Sequence, residues 1–257
     1  MPRPALATLL AVPLLVIACA GPGGVVRQPG SPVVQIPLSW SNAYLVHGDR
    51  PVLVDPGSPG DVEALGAALR AEGVAWADLA LIVLTHGHAD HAGAAAEVAR
   101  RSSAPVLAGA ADAPLLAAGG GAALPAQGVE ARLVRPFVPK RFPPAVPTLT
   151  LEARPGRSSL DLRPFGVRGE AILTPGHTPG SLVVVLDAGG AVVGDLFRGG
   201  VFGGRLRART PHRHYFHEDA ERAESVVGAL LRRGVTRFYL GHGGPVDGEA
   251  ARRRFAE

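Results

Sequence analysis

Between Leu81 and Gly93 the chain reads LIVLTHGHADHAG, an apolar run followed by a tight polar loop and the start of an Ala-rich stretch. The apolar run predicts a buried strand and the Ala-rich stretch a helix. The loop packs three imidazoles and a carboxylate (His86, His88, Asp90 and His91) into six residues. They fall at the carboxyl end of the strand, the edge where α/β folds place ligands. Packing alone would favour an apolar residue at any of these positions. Histidines at such density need partners when buried, and a divalent cation satisfies all of them together.

Three later segments repeat a strand ending in a polar residue framed by glycine. They are Thr174 to Ser181 (TPGHTPGS), Val193-Gly194-Asp195, and Tyr239 to Pro245 (YLGHGGP). Each alone reads as a turn. Taken with the first cluster they supply five His and two Asp at strand ends, a donor set sized for two metal ions.

The 257 residues, 47% hydrophobic and 19% charged, are too apolar for disorder and hold ample core for one domain. A single cysteine excludes a disulfide scaffold and a Cys-rich zinc module. The formal charge of +4 rests on arginines spread along the chain, so no nucleic-acid surface is expected. Strands are predicted over 33–38, 43–46, 52–54, 81–84, 181–186, 191–193 and 237–240, and helices over 61–72, 92–101 and 218–232. That alternation implies an α/β domain over 32–257. Residues 109–169, rich in Gly and Pro, are expected to form long connections with little regular structure.

Residues 1–18 carry a charge-free apolar run, short for a membrane span but fitting a secretory signal. Val16-Ile17-Ala18-Cys19 resembles the bacterial lipobox, which implies a lipid on Cys19, the only cysteine, and residues 19–31 as a tether. The protein is then expected in the periplasm or cell envelope, anchored to the membrane through its N terminus. The competing reading is a cut after Ala20 that leaves a soluble exported protein.

The quintet Asp55, His86-x-His88-x-Asp90-His91, His177, Asp195 and His242 resembles the metallo-β-lactamase superfamily, in the family's order and over essentially the whole mature chain. The resemblance implies a four-layer αββα sandwich with the site on one edge, between the sheets. It further implies that His86, His88 and His177 hold one Zn2+, that Asp90, His91 and His242 hold a second, and that Asp195 bridges them. Asp55 would sit behind the ligands and orient an imidazole, or simply cap the turn after its strand. A water shared by two cations has its pKa lowered from 15.7 to about 7. It would attack the carbonyl of a small ester, thioester, lactone or amide, with Asp90 as the catalytic carboxylate.

Departures from the family's branches narrow the expectation. Asp195 stands where β-lactamases of this superfamily usually place Cys or Ser, which makes β-lactam hydrolysis a minor option. Only 15 residues follow His242, against the helical glutathione-binding region of glyoxalase II enzymes. Leu196-Phe197-Arg198 replaces the tyrosine segment of lactone-cleaving members. The stretch 196–217 carries five arginines, His212, His214, His217 and no acid. Arg198, Arg205 and Tyr215 are therefore candidate contacts to an anionic substrate, against a plain solvated loop. Iron or manganese remain alternatives to zinc. The competing activities are a mononuclear iron persulfide dioxygenase-like enzyme and a non-enzymatic metal- or ligand-binding lipoprotein. Oligomeric state is not legible.

Overall fold

The computed structural model describes residues 25–121 and 125–255. The signal, Cys19 and the tether up to residue 24 lie outside the described residues. The first sheet contains, in spatial order, β1 (Val26–Arg27), β2 (Val33–Pro37), β3 (Asn42–Val46), β4 (Val52–Val54), β5 (Leu81–Val83), β6 (Val106–Gly109) and β7 (Leu149–Leu151). Strands β1 to β4 pair antiparallel and β4 to β7 parallel. The parallel pairs require crossovers. These are supplied by α1 (Val62–Ala71), then α2 (Ala89–Ala92) and α3 (Ala95–Ser102), then α4 (Ala113–Ala117) and α5 (Gly128–Val134).

The second half begins with β8 (Ser159–Asp161), β9 (Gly169–Leu173), β10 (Leu182–Leu186) and β11 (Gly190–Gly194). A ribbon of β12 (Arg198–Val201) and β13 (Leu206–His212) stands apart as its own two-stranded sheet. Helix α6 (Ala220–Arg232) leads into β14 (Arg237–Leu240) and β15 (Val246–Asp247), and α7 (Gly248–Phe255) follows. The second sheet runs β15-β14-β11-β10-β9-β8, with β11 and β14 parallel.

The strand period of two assigns each side chain to a layer. In β3 to β5, Leu45, Leu53 and Ile82 pack with Leu65 and Leu69 of α1 and Val98 of α3. Their neighbours Tyr44, Val52, Val54, Leu81 and Val83 turn the other way and meet Leu182, Val184, Val192 and Tyr239 of the second sheet. On that sheet's far face, Val183, Val193 and Phe238 pack on Ala223, Val227, Leu230 and Leu231 of α6. Three apolar layers separate four structural ones, so the expected αββα sandwich is the fold. Each fully buried Leu or Val in these layers contributes roughly 1.5–3 kcal/mol. The start of α6 is set by Asp219, whose Oδ1 accepts the Arg222 amide at 2.9 Å.

Three expectations need correction. The segment read as a tether contains β1, which pairs with Val34 and Gln35, and Ser31 Oγ lies 2.7 Å from Tyr239 OH, so the domain begins before residue 32. Residues 109–169 hold four short elements, α4, α5, β7 and β8, in sequence that is itself weakly patterned. The helix expected over 92–101 is two helices, α2 and α3, broken at Gly93–Ala94.

Candidate metal centre

Every candidate ligand follows the carboxyl end of a strand or its loop. Asp55 follows β4, His86 and His88 follow β5, and Asp90 and His91 sit in α2. His177 lies in the loop from β9 to β10, Asp195 follows β11 and His242 follows β14. The alternation that fills the core brings the two strand edges together, and the ligand loops with them.

Three groups of donors result, each with its atoms within 4.8 Å of one another: His86, His88, His177 and Asp195; beside it Asp90, His91 and His242; and a third in which His214 joins Asp195 and His242. Asp195 stands between the first two, its Oδ2 3.6 Å from His177 Nε2 and 3.4 Å from His242 Nε2, and its Oδ1 3.3 Å from His91 Nε2. Asp90 Oδ2 is 3.4 Å from His242 Nε2. His177 Nε2 faces His88 Nδ1 at 3.2 Å, two nitrogen atoms that need a proton or a cation between them.

The far nitrogens are anchored to protein. His91 Nδ1 lies 2.8 Å from Asp55 Oδ2, and His177 Nδ1 lies 2.8 Å from the Phe216 carbonyl. Thr85 donates its hydroxyl to Asp55 Oδ2 at 2.6 Å and its amide to Oδ1 at 2.7 Å, so its oxygen can accept from His86 Nδ1 at 3.0 Å. These contacts put the protons on Nδ1 and leave Nε2 lone pairs directed at the cluster. His86 Nε2, His91 Nε2 and Asp195 Oδ1 are buried and make no protein hydrogen bond. Asp55 thus does more than cap a turn. Its backbone sits at φ +53°, a left-handed conformation that Asp tolerates better than most residues.

Burial, then the surrounding imidazoles, holds His86 well below the ordinary histidine range, and burial likewise lowers His88 and His177. They are neutral and available as ligands. On the other side burial resists charge on His242, yet Asp195 and Asp90 override it and raise the ring to about 10. His91 is driven well above its ordinary value in the same way, chiefly by Asp195 and Asp90 against burial. Burial works against ionised Asp90 too, but His91 and His242 bring it down to about 2. The carboxylates concentrate negative potential where a divalent cation fits, and donors and electrostatics agree on a metal site.

Three residues escaped sequence reasoning. His214 and His217 stood out only as members of an Arg/His-rich stretch, yet both are buried. His214 Nε2 lies 3.2 Å from Asp195 Oδ2, and its ring stacks on His242 at 5.4 Å; His217 lies 5.4 Å from His177. Burial lowers them to about 3 and about 4. Asp112 gave no signal in sequence. Its buried carboxylate accepts the Gly87 amide at 2.9 Å, the Thr178 hydroxyl at 2.7 Å and the Gly180 amide at 2.9 Å, tying the His86–His88 loop to the His177 loop.

The candidate substrate contacts separate. Arg198 is buried, with its guanidinium 4.0 Å from the Tyr215 ring, donating to Glu130 Oε2 at 3.3 Å and to the Gly200 carbonyl. Tyr215 donates to Glu130 Oε1 at 2.6 Å, and burial with this bond pushes its hydroxyl to about 12. Both reach Glu130 of α5, while Arg198 Nε is buried without a hydrogen-bond partner. Arg205 is exposed at the ribbon turn. Its neighbour Gly204 presses on the His242–Gly243 backbone, where a Cβ would come within 2.1 Å of Gly243 N. A cleft of about 500 Å3, counted to its open mouth, adjoins His88 and is walled by Leu115, Val138, Pro139 and Phe216.

An αββα sandwich with a buried His/Asp cluster where its two sheets meet defines the class, a metal-dependent enzyme of hydrolase type. The family profile of the metallo-beta-lactamase superfamily matches residues 39–242. The chain is 28% identical over 206 residues to a probable metallo-hydrolase of Methanocaldococcus jannaschii, spanning 79% of this chain and 87% of that one. It is 32% identical over 228 residues to a hydroxyacylglutathione hydrolase of Anaeromyxobacter dehalogenans, spanning 83% of this chain and 69% of that one. In structure it is similar to a metallo-beta-lactamase of Cronobacter sakazakii with a HARLDQ motif, at TM-score 0.58 and 25% identity, covering 88% of this chain and 80% of that chain. The chain belongs to the metallo-β-lactamase superfamily and is a metal-dependent hydrolase.

Proposed function

We propose that the chain is an exported dinuclear zinc hydrolase that cleaves an ester, thioester, lactone or amide bond of a small molecule. The observation that carries this reading is the set of buried Nε2 atoms, fixed from behind by Asp55, Thr85 and the Phe216 carbonyl, around the Asp195 carboxylate. His86, His88 and His177 would hold one ion, Asp90, His91 and His242 the other, and Asp195 would touch both. Zinc held there would act as a Lewis acid, making a water more acidic and polarising the carbonyl under attack.

The chain's own residues do the rest. Asp112 and Asp55 hold the loops and rings still, so little reorganisation is needed during reaction. Asp90, kept ionised by His91 and His242, would orient the attacking water beside the second ion. The cleft at His88 would receive the substrate against largely apolar walls. Export, and anchoring through a lipid on Cys19, rest on the N-terminal sequence. Among the described residues no helix is long and apolar enough to cross a membrane.

Metal content of the full chain purified without chelator tests the reading, with two zinc ions per chain expected. One iron per chain would turn the assignment toward an oxygenase. Asp90→Ala should lower hydrolysis of the best substrate found among esters, thioesters, lactones and β-lactams by about 10²- to 10⁴-fold, with the circular dichroism spectrum kept. Wild-type turnover in that variant would sink the mechanism. If the lipid is real, the wild-type chain incorporates labelled palmitate and Cys19→Ala does not.

A further inference from the structure

Four of the eight large apolar side chains exposed among the described residues lie between 129 and 146: Val129, Leu133, Phe137 and Val146, each 69–75% exposed. Val129, Leu133 and Phe137 are spaced by four along α5 and the turn after it, so they form one stripe down one face. Water is a poor environment for such a stripe, and contiguous exposed apolar surface marks a binding face.

Charge says what the face meets. From 113 to 151 the chain holds four cations, Arg132, Arg135, Lys140 and Arg141, and one acid, Glu130. Glu130 is already matched by Arg198 and Tyr215. Arg132, Lys140 and Arg141 are exposed beside the apolar stripe. Apolar side chains flanked by exposed cations suit the boundary of an anionic bilayer, where the former sink below the headgroups and the latter pair with phosphates. Residues 135–140 of the same segment, through Arg135, Val138, Pro139 and Lys140, also wall the cleft that opens on His88.

We propose that α5 and the turn after it seat the molecule on an anionic lipid surface and pass an amphiphilic, acyl-bearing substrate into the cleft beside the metal centre. The substrate half rests on the hydrolase reading; the docking half does not.

Because Cys19 is the only cysteine, the full chain carrying Cys19→Ala accepts a single reporter thiol. Leu133→Cys, with Val129→Cys as a second position, is labelled with an environment-sensitive fluorophore. The control is Ala188→Cys, exposed in the turn between β10 and β11 at the opposite end of the strand that leads to Asp195. Vesicles of phosphatidylcholine containing one-third phosphatidylglycerol should blue-shift the labels at 133 and 129 and raise their intensity several-fold, leaving 188 unchanged. Arg132→Glu, Lys140→Glu and Arg141→Glu together should raise the lipid concentration at half-saturation by at least about tenfold.

Docking is overturned if the label at 133 does not respond, if 188 responds equally, or if pure phosphatidylcholine acts as well. It is also overturned if 133 is blue-shifted without lipid and light scattering gives twice the mass, since a second copy then covers the face. For the substrate half, kcat/KM on p-nitrophenyl esters should rise from acetyl to octanoyl. A flat profile overturns that half, and no turnover at any length with docking intact counts against the hydrolase reading itself.

Discussion

Asp55 shows how one side chain can decide the state of several. Its two oxygens accept from the Thr85 amide and hydroxyl and face His91 Nδ1, and the same hydroxyl oxygen stands next to His86 Nδ1. A carboxylate in this position favours the proton on Nδ1 and raises the basicity of the opposite nitrogen, which is what a metal ligand needs. Asp55→Asn keeps the shape but removes the charge, and its amide can present a donor to His91 Nδ1. We expect zinc affinity, measured by competition with a chromophoric chelator, to fall by about 10- to 100-fold while the fold remains. Affinity equal to wild type would reduce Asp55 to a turn-forming residue that its φ of +53° alone could explain.

Among the elements, the loops after β5 and β9 come from different sheets and are joined through Asp112, between β6 and α4. Its removal leaves two amides and a hydroxyl without their acceptor in a dry site. For a buried charge-assisted cluster the cost is about 2–5 kcal/mol. Asp112→Ala should therefore lower the urea midpoint by that equivalent and depress metal binding in the protein that still folds. A stability change below about 1 kcal/mol would mean that water replaces the carboxylate without loss. Nothing in sequence pointed to this residue, because its three partners are 25, 66 and 68 positions away. The seven expected ligands were legible for the opposite reason, since four of them fall within six residues and the others sit in Gly-framed strand ends. Strands β2 to β5, β10, β11 and β14 were legible because both their faces are largely buried and their sequences are mostly apolar, Gln35, Asn42 and Arg237 being the polar exceptions. Helix α5 and strands β7, β8 and β12 were not, since Gly, Pro and Arg carry no period and α5 and β8 are themselves largely exposed.

Over the whole molecule, the two sheets meet through the apolar layer between them and again at the donor cluster. His86, His88, Asp90 and His91 come from the first sheet's edge, and His177, Asp195 and His242 from the second's. Any ion bound there cross-links the halves of the sandwich, and its binding free energy is available only to the folded chain, where these donors converge. Mass action sets the size: free zinc at a thousand times its dissociation constant stabilises by about 4.1 kcal/mol per site. For a domain of this size each kcal/mol corresponds to roughly 2–4 °C in Tm, so removing one such ion should cost about 8–16 °C. We therefore expect dialysis against chelator to lower the calorimetric Tm by at least that amount and added zinc to restore it. The histidines temper this loss: with no cation between Asp90 and Asp195, protons on His91 and His242, both raised above the ordinary histidine range, relieve the carboxylates' repulsion at neutral pH. A Tm unmoved by chelator, with metal loss verified by mass spectrometry, would mean that the apolar layers alone hold the sheets in register and that the donor loops are rigid without the ion.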